Sequence, residues 1–347
     1  MVRLWMQVFA AAAALLPAPA SRAAVDVPSS APVSRAAVLR SMEEIMGPLP
    51  GPEKRCRLDV ELVEETDQGT YVRRFLTYQS EPGGRVPAYL LIPKAALTNL
   101  AARKFPAVLA LHQTHAAGQK VVVGLGRSPD DEYGVELAQR GFVVLAPPYP
   151  HLAGYAPDLK VLGCSSGTMK AVWDNVRGLD LLASLPFVRT NGFGCIGHSL
   201  GGHNGLFTAA FDERVEVVVT SCGFDSFRDY RGGDPEVWQL ERGWCQTRYM
   251  PRLAAYRGRL EEIPFDFPQV LAAIAPRRVF VSAPVGDSNF RWQSVDRVVS
   301  EARGLAARLG VAADIRVEHP AGPHRFPPEQ RAAAYRLLEG IARQAGP

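Results

Sequence analysis

Several features are scarce in this chain, and each scarcity excludes something. Beyond the extreme N-terminus there is no apolar run approaching the twenty or so residues a membrane helix needs, so no stable membrane insertion is expected. Lysine is rare, 6 against 33 arginines, and these cations are dispersed among 35 acidic residues. The net charge of +4 therefore comes without the basic runs of a nucleic-acid groove, and nucleic acid is not an expected partner. There are only five cysteines, Cys56, Cys164, Cys195, Cys222 and Cys245. Their spacing matches no zinc pattern, and an odd number leaves at least one unpaired; one or two disulfides fit an oxidising compartment without being assignable. No internal repeat and no Pro/Gly/Ser-rich linker divides the middle of the chain, so the body of the 347 residues reads as one large domain. Nothing in the sequence speaks to oligomeric state.

What is present begins at the N-terminus. Arg3 supplies a basic start, Leu4 to Leu16 is apolar except for Gln7, and Ala18-Pro19-Ala20 or Ser21-Arg22-Ala23 offers small residues for cleavage. This is the pattern of an export signal over residues 1–24 followed by a mature domain over 25–347, and it predicts a periplasmic or secreted protein. No cysteine follows the run closely, so a lipoprotein anchor is not expected.

Ser34 to Met46 is expected as a helix. Alternating apolar residues at Leu58–Val63, Tyr71–Tyr78 and Val86–Ile92, with the turn Glu81-Pro82-Gly83-Gly84, predict antiparallel strands. The pattern then changes. Pro106–Leu111, Phe142–Ala146, Gly192–Ile196, Val215–Thr220, Arg278–Ser282 and Asp314–Val317 are short, nearly uncharged runs of the kind buried on both faces of a parallel sheet. Helical patterns at Asp131–Arg140, Thr168–Leu185, Leu200–Ala210, Val295–Leu309 and Glu329–Arg343 alternate with them. The expected class is α/β: a mostly parallel twisted sheet with antiparallel N-terminal strands and helices on both faces. Residues 224–268 break the rhythm and are rich in aromatics, among them Tyr230, Trp238, Trp244 and Tyr249; a cap or lid insertion is expected there.

The chemistry centres on Gly197-His198-Ser199-Leu200-Gly201. A strand candidate ends at Ile196 and a helix candidate starts at Leu200, the strand–turn–helix setting of a nucleophile elbow. A serine hydroxyl needs a base to take its proton. After Ser199 the histidines are His203, His319 and His324. His203 lies one helical turn on, where it does not readily swing back; His319 ends a strand; His324 sits on the loop beyond, and is the preferred base. The acid that holds the imidazole is expected at Asp287, on the loop after Arg278–Ser282, with Asp225, after the preceding strand, as its rival. An oxyanion hole is expected from the backbone N–H of Leu200 and that of Gln113 or Thr114, on the loop after Pro106–Leu111. His112, His115 and His151 suggest a metal, but no carboxylate or cysteine spacing completes a site, so neither metal nor cofactor is expected.

These motifs, together with Val108-Leu109-Ala110-Leu111-His112, Val172-Trp173-Asp174-Asn175 through Leu181-Leu182, and His324-Arg325-Phe326, make the chain from about Val86 onward resemble the α/β-hydrolase superfamily. It is most similar to the dienelactone-hydrolase-like and acetyl-xylan-esterase-like branches. The resemblance implies the α/β-hydrolase fold, a cofactor-free triad falling on Ser199, Asp287 and His324, and hydrolysis of carboxylic esters through an acyl-enzyme. Where the family reads His-Gly after the first buried strand, this chain has His112-Gln113. Some secreted esterases of sugar acids take their acid from the preceding strand, the position of Asp225. Dienelactone hydrolases proper are cytoplasmic and use cysteine, so Ser199 and the export signal argue against their substrate. A small-molecule or carbohydrate ester is the expected substrate, with Arg228, Arg231, Trp238, Arg242 and Trp244 of the insertion suited to stacking on sugar rings or pairing with an acidic group. An exported serine peptidase and a catalytically inactive binding protein of the same fold are the alternatives.

Overall fold

A computed structural model describes residues 34–98, 104–126 and 128–343, so the expected export signal lies outside the described residues. The elements run α1 (Arg35–Met46), β1 (Glu61–Asp67), β2 (Tyr71–Glu81), β3 (Gly84–Pro93), α2 (Lys94–Thr98), β4 (Ala107–Leu111), α3 (Tyr133–Gln139), β5 (Val143–Ala146), α4 (Leu159–Leu162), α5 (Gly167–Ser184), β6 (Phe193–His198), α6 (Leu200–Phe211), β7 (Val215–Ser221), α7 (Phe267–Ile274), β8 (Arg278–Ser282), α8 (Trp292–Arg308), β9 (Ile315–Glu318) and α9 (Pro328–Arg343).

The strands form one nine-stranded sheet in the order β1-β2-β3-β5-β4-β6-β7-β8-β9. β1, β2, β3 and β5 pair antiparallel; from β5 onward every pair is parallel. The uncharged central runs are uncharged because both faces are covered. Leu109, Leu111 and Cys195 turn toward the layer containing α1, α5, α6, α7 and α8, while Val108, Ala110, Ile196, Val217 and Val219 turn toward α3 and α9. The α/β expectation is met.

The differences are local. The first strand is Glu61–Asp67 rather than Leu58–Val63, and lies exposed at the sheet edge. Pairing with the longer β2, from Glu61 opposite Thr77 to Asp67 opposite Val72, overrides the weak apolar alternation before it. The helix expected from Asp131 is α-helical only from Tyr133, because Pro129–Asp131 makes a 3₁₀ turn first. Helix α7 begins within residues 224–268 and is fixed by a capping box between Asp266 and Gln269. The rest of that stretch is a chain of 3₁₀ turns whose aromatics point inward: Phe227, Trp238 and Phe265 are fully buried. All five cysteines are free thiols.

A buried ionic cluster ties α5 to the β2 end of the sheet. The Lys170 ammonium donates to the Ser80 hydroxyl at 3.0 Å, pairs with Glu81 at 3.0 Å and bonds Asp174, one turn along α5. Tyr155 donates to the other Asp174 oxygen at 2.8 Å, and Trp173 and Arg177 both donate to the Ser80 carbonyl at 3.1 Å. One cation thus serves two carboxylates out of reach of water. Lys170→Met strands both, and its cost is expected at about 3–5 kcal/mol, read as a lowered urea midpoint.

Candidate active site

Strand β6 ends at His198 and α6 starts at Leu200, leaving Ser199 as the whole turn, with φ 51° and ψ −120°. A left-handed serine is strained, and backbone bonds on both sides hold it there: its N–H donates to the Ser221 carbonyl at 2.7 Å, and its carbonyl accepts from His203 at 3.0 Å. The flanking glycines are required by space. A Cβ on Gly201 would lie 1.9 Å from the Leu111 carbonyl oxygen, and one on Gly197 would lie 2.2 Å from the Gly201 carbonyl carbon. The G-x-S-x-G spacing is therefore a packing constraint between α6, β6 and β4.

The loops after β8 and β9 continue the parallel ladder beyond the strands. Ala283 donates to Glu318 at 2.9 Å, Val285 to Pro320 at 3.0 Å and Gly286 to Gly322 at 2.9 Å. This zipper brings Asp287 against His324, whose Nδ1–H donates to the carboxylate at 2.8 and 2.9 Å. Asp287 also accepts from the N–H groups of Asn289 at 2.7 Å and Phe290 at 3.2 Å. Burial pushes this carboxyl up, but the His324 bond and the two amides outweigh it and hold it below its ordinary value. With Nδ1 committed as donor, Nε2 is left free to accept a proton. The His324 ring shares the cleft with Ser199.

The other candidates are engaged elsewhere. His319 donates from Nδ1 to the Ala283 carbonyl at 2.9 Å and bonds Asp296 through Nε2 at 2.9 Å. His203 is buried one turn into α6, stacked on Trp244 with ring centroids 4.1 Å apart, and burial drives its pKa down to about 3. Asp225 is also buried; one oxygen accepts from the Arg291 N–H at 3.2 Å and the other has no partner. Burial raises its pKa to about 8, against the pull of that one amide. His198, beside His324 at 4.9 Å between centroids, is held near 3 by burial first and by His324 second, so it stays uncharged there.

Leu200 offers its N–H at the start of α6, where the helix dipole favours negative charge. On the β4 loop, His112 bonds the Gln113 carbonyl at 2.7 Å and accepts from the Tyr149 N–H at 2.9 Å, which pins the loop. The N–H groups of Gln113 and Thr114 have no backbone partner among the described residues, and both residues line the cleft. The Thr114 hydroxyl meets the Tyr249 hydroxyl at 3.1 Å, linking this loop to residues 224–268.

The cleft measures about 360 Å³. Of the residues of 224–268 singled out by sequence, Tyr230, Arg231, Trp244 and Tyr249 line it; Arg228 and Arg242 are exposed away from it, and Trp238 is buried against Phe227. Its remaining walls include Gln246, Arg248, Asn289 and Phe290, which the motifs did not reveal. Asn289 and Phe290 follow Asp287 closely enough for proximity to suggest them; Arg248 carried no signal. Among the described residues, Cys222, Asp287 and His324 present possible ligand atoms within 4.8 Å of one another. The last two already satisfy each other, and burial raises the Cys222 thiol far above its usual range, which makes this a poor metal site.

Several known proteins similar to this chain in sequence or fold are described as hydrolases. Residues 161–308 match the family described as glucuronyl esterase of fungi, a stretch that holds Ser199, Asp225 and Asp287 and stops short of His324. A putative hydrolase, YtaP, of Bacillus subtilis is 25% identical over 317 residues, covering 88% of this chain and 99% of that protein. A glucuronoyl esterase from Solibacter usitatus superimposes with a TM-score of 0.68 at 18% identity, over 90% of this chain and 92% of that one. Acetyl xylan esterase 1 from Thermoanaerobacterium sp. JW/SL YS485 does so with a TM-score of 0.57 at 19% identity, over 88% and 92%. The fold is that of the α/β-hydrolases, and the expected class, a carboxylic ester hydrolase, is supported.

The raised Asp225 carboxyl has a consequence for stability. It binds its proton more tightly folded than unfolded, so the native state is favoured at low pH and loses that advantage as pH rises through about 8. Asp225→Asn keeps an acceptor for the Arg291 amide and removes the charge. Urea midpoints of the two proteins are expected to converge at pH 4 and to separate at pH 8–9, with the variant more stable.

Proposed function

We propose that the chain hydrolyses carboxylic esters of carbohydrates by acyl transfer, with Ser199 as nucleophile, His324 as general base and acid, and Asp287 as the carboxylate that orients it. The carrying observation is a serine locked in a left-handed turn, facing the same cleft as an imidazole whose Nδ1–H is held by a buried carboxylate. In this reading Ser199 Oγ attacks the ester carbonyl while His324 Nε2 takes its proton. Asp287 stabilises the imidazolium, which is why its position below the usual carboxylate range matters. The imidazolium then protonates the leaving alcohol, and the same nitrogen activates water against the acyl-enzyme. The N–H of Leu200 and an N–H of Gln113 or Thr114 receive the oxyanion. The neutral His198 next to His324 adds no repulsion to the cation formed.

The carbohydrate assignment draws on relatives that are glucuronoyl and acetyl xylan esterases and on the aromatic walls, where Trp244, Tyr249 and Phe290 offer flat apolar surface for sugar rings. Export to the periplasm or the medium belongs to the same proposal, and rests on the basic and apolar pattern of residues 1–24. Among the described residues no helix is long and apolar enough to cross a membrane.

Ser199→Ala is expected to lower kcat/KM on p-nitrophenyl acetate by about 10³-fold or more while the circular dichroism spectrum is unchanged. Wild type is expected to take a fluorophosphonate label at Ser199. Retained activity in the variant removes the nucleophile assignment; absence of both turnover and labelling in wild type favours an inactive binding protein; cleavage of peptides with no action on esters favours the peptidase.

A further inference from the structure

We infer that the cleft recognises a free carboxylate on its substrate, borne by a saccharide unit next to the one whose ester is cut, and that Arg248, assisted by Arg231, is the specificity-determining residue. This rests on ester hydrolysis at Ser199 and supplies the substrate class that hydrolysis alone leaves open.

Two guanidinium groups line the cleft and no carboxylate side chain does. Neither arginine enters an ion pair among the described residues. Arg248 is half-buried; its Nε is cut off from solvent without a hydrogen-bond partner, and its terminal nitrogen donates to the neutral Gln246 side chain. Its guanidinium lies over the Tyr249 ring, 5.2 Å from the centroid. A cation with five N–H donors, stacked on one face and lacking any anionic partner, is arranged for a planar acceptor that the protein does not supply.

The position is built rather than incidental. Helix α5 begins at Gly167, and its first N–H groups need acceptors. The carbonyls on either side of Arg248 provide them: Gly167 donates to Thr247 at 3.3 Å and Thr168 to Tyr249 at 3.2 Å. The fit is close enough that a Cβ on Gly167 would lie 2.2 Å from the Arg248 carbonyl oxygen. Arg231 shows a different sign of selection. It is a non-glycine residue at φ 51° and ψ 30°, followed by Gly232 at φ 75°, and its side chain meets the Ser288 carbonyl at 3.5 Å and lies over the Tyr230 ring, 5.9 Å from the centroid. Left-handed backbone at such a residue costs about 1–3 kcal/mol, and neither partner of the side chain carries a negative charge.

The flat forks suit a carboxylate, and the aromatic residues that line the same cleft suit the ring that carries it. An acidic oligosaccharide that is only partly esterified combines these features. In a cleft with two unneutralised cations, the fully esterified, neutral form is the poorer substrate.

The test compares two methyl esters of one diuronic acid, the monomethyl ester with a free carboxylate and the dimethyl ester, by methanol release from the purified full chain. Wild type is expected to favour the monomethyl ester by about 10- to 100-fold in kcat/KM, the range of a charge-assisted hydrogen bond, and to lose part of that preference at about 0.5 M NaCl through screening. Arg248→Gln is expected to reduce the ratio by at least about tenfold, Arg248→Lys to restore part of it, and Arg231→Gln to reduce it less. A wild-type ratio near unity overturns the inference, as does an Arg248→Gln variant that slows both esters alike, which is the mark of a purely structural arginine. Turnover of p-nitrophenyl acetate with neither diuronide cleaved overturns it while leaving ester hydrolysis standing; failure on all three substrates removes both.

Discussion

The arrangement of the cleft depends on one contact in which there is no room for a carbon atom. The Gly201 backbone approaches the Leu111 carbonyl so closely that any side chain would occupy the oxygen's own volume. That approach lets α6 start immediately after β6, pushes Ser199 into a left-handed turn above the sheet, and sets the Leu200 amide beside the loop that follows β4. The Ser199 turn and the position of the Leu200 amide are thus products of one helix packed against two strands. Such a geometry tolerates little adjustment, because interiors are close-packed and transmit displacement.

A second constraint acts from the far side of the sheet. The parallel ladder between β8 and β9 continues into their loops, and the paired backbone carries Asp287 to His324. Asp225, at the end of β7, is as near in the chain to a strand terminus but stays buried in an environment that favours its neutral form. The two carboxyls differ in what surrounds them. Three hydrogen-bond donors hold Asp287 as an anion, while a single amide leaves Asp225 unable to compensate its desolvation. In the proposed reaction this difference makes Asp287 the orienting carboxylate and Asp225 a spectator.

Residues 224–268 join these halves. Trp244 stacks on His203 of α6, Tyr249 meets Thr114 of the β4 loop, and the carbonyls around Arg248 cap the start of α5. This stretch is largely a packed layer of short turns whose outer residues wall the cleft. Its buried aromatics and lack of carboxylates at the cleft give the site both its shape and its sign of charge.

The sequence by itself determined what is local or periodic. The uncharged runs betrayed a sheet covered on both faces, because strands in that setting tolerate no charge, and the glycine spacing around Ser199 betrayed the elbow, because one of its steric exclusions, Gly197 against Gly201, acts between residues four apart. The order of Ser199, Asp287 and His324 along the chain followed from topology, each lying beyond the carboxyl end of a parallel strand, β6, β8 and β9. Tertiary structure alone decided the rest. Whether Asp287 or Asp225 meets the imidazole depends on hydrogen bonds between loops distant in the chain. The same is true of which arginines face the cleft: Arg228 and Arg242 read like Arg231 in the sequence and point elsewhere, while Arg248 gave no signal. Side-chain direction in an irregular segment follows from what the backbone packs against, and no periodicity encodes that.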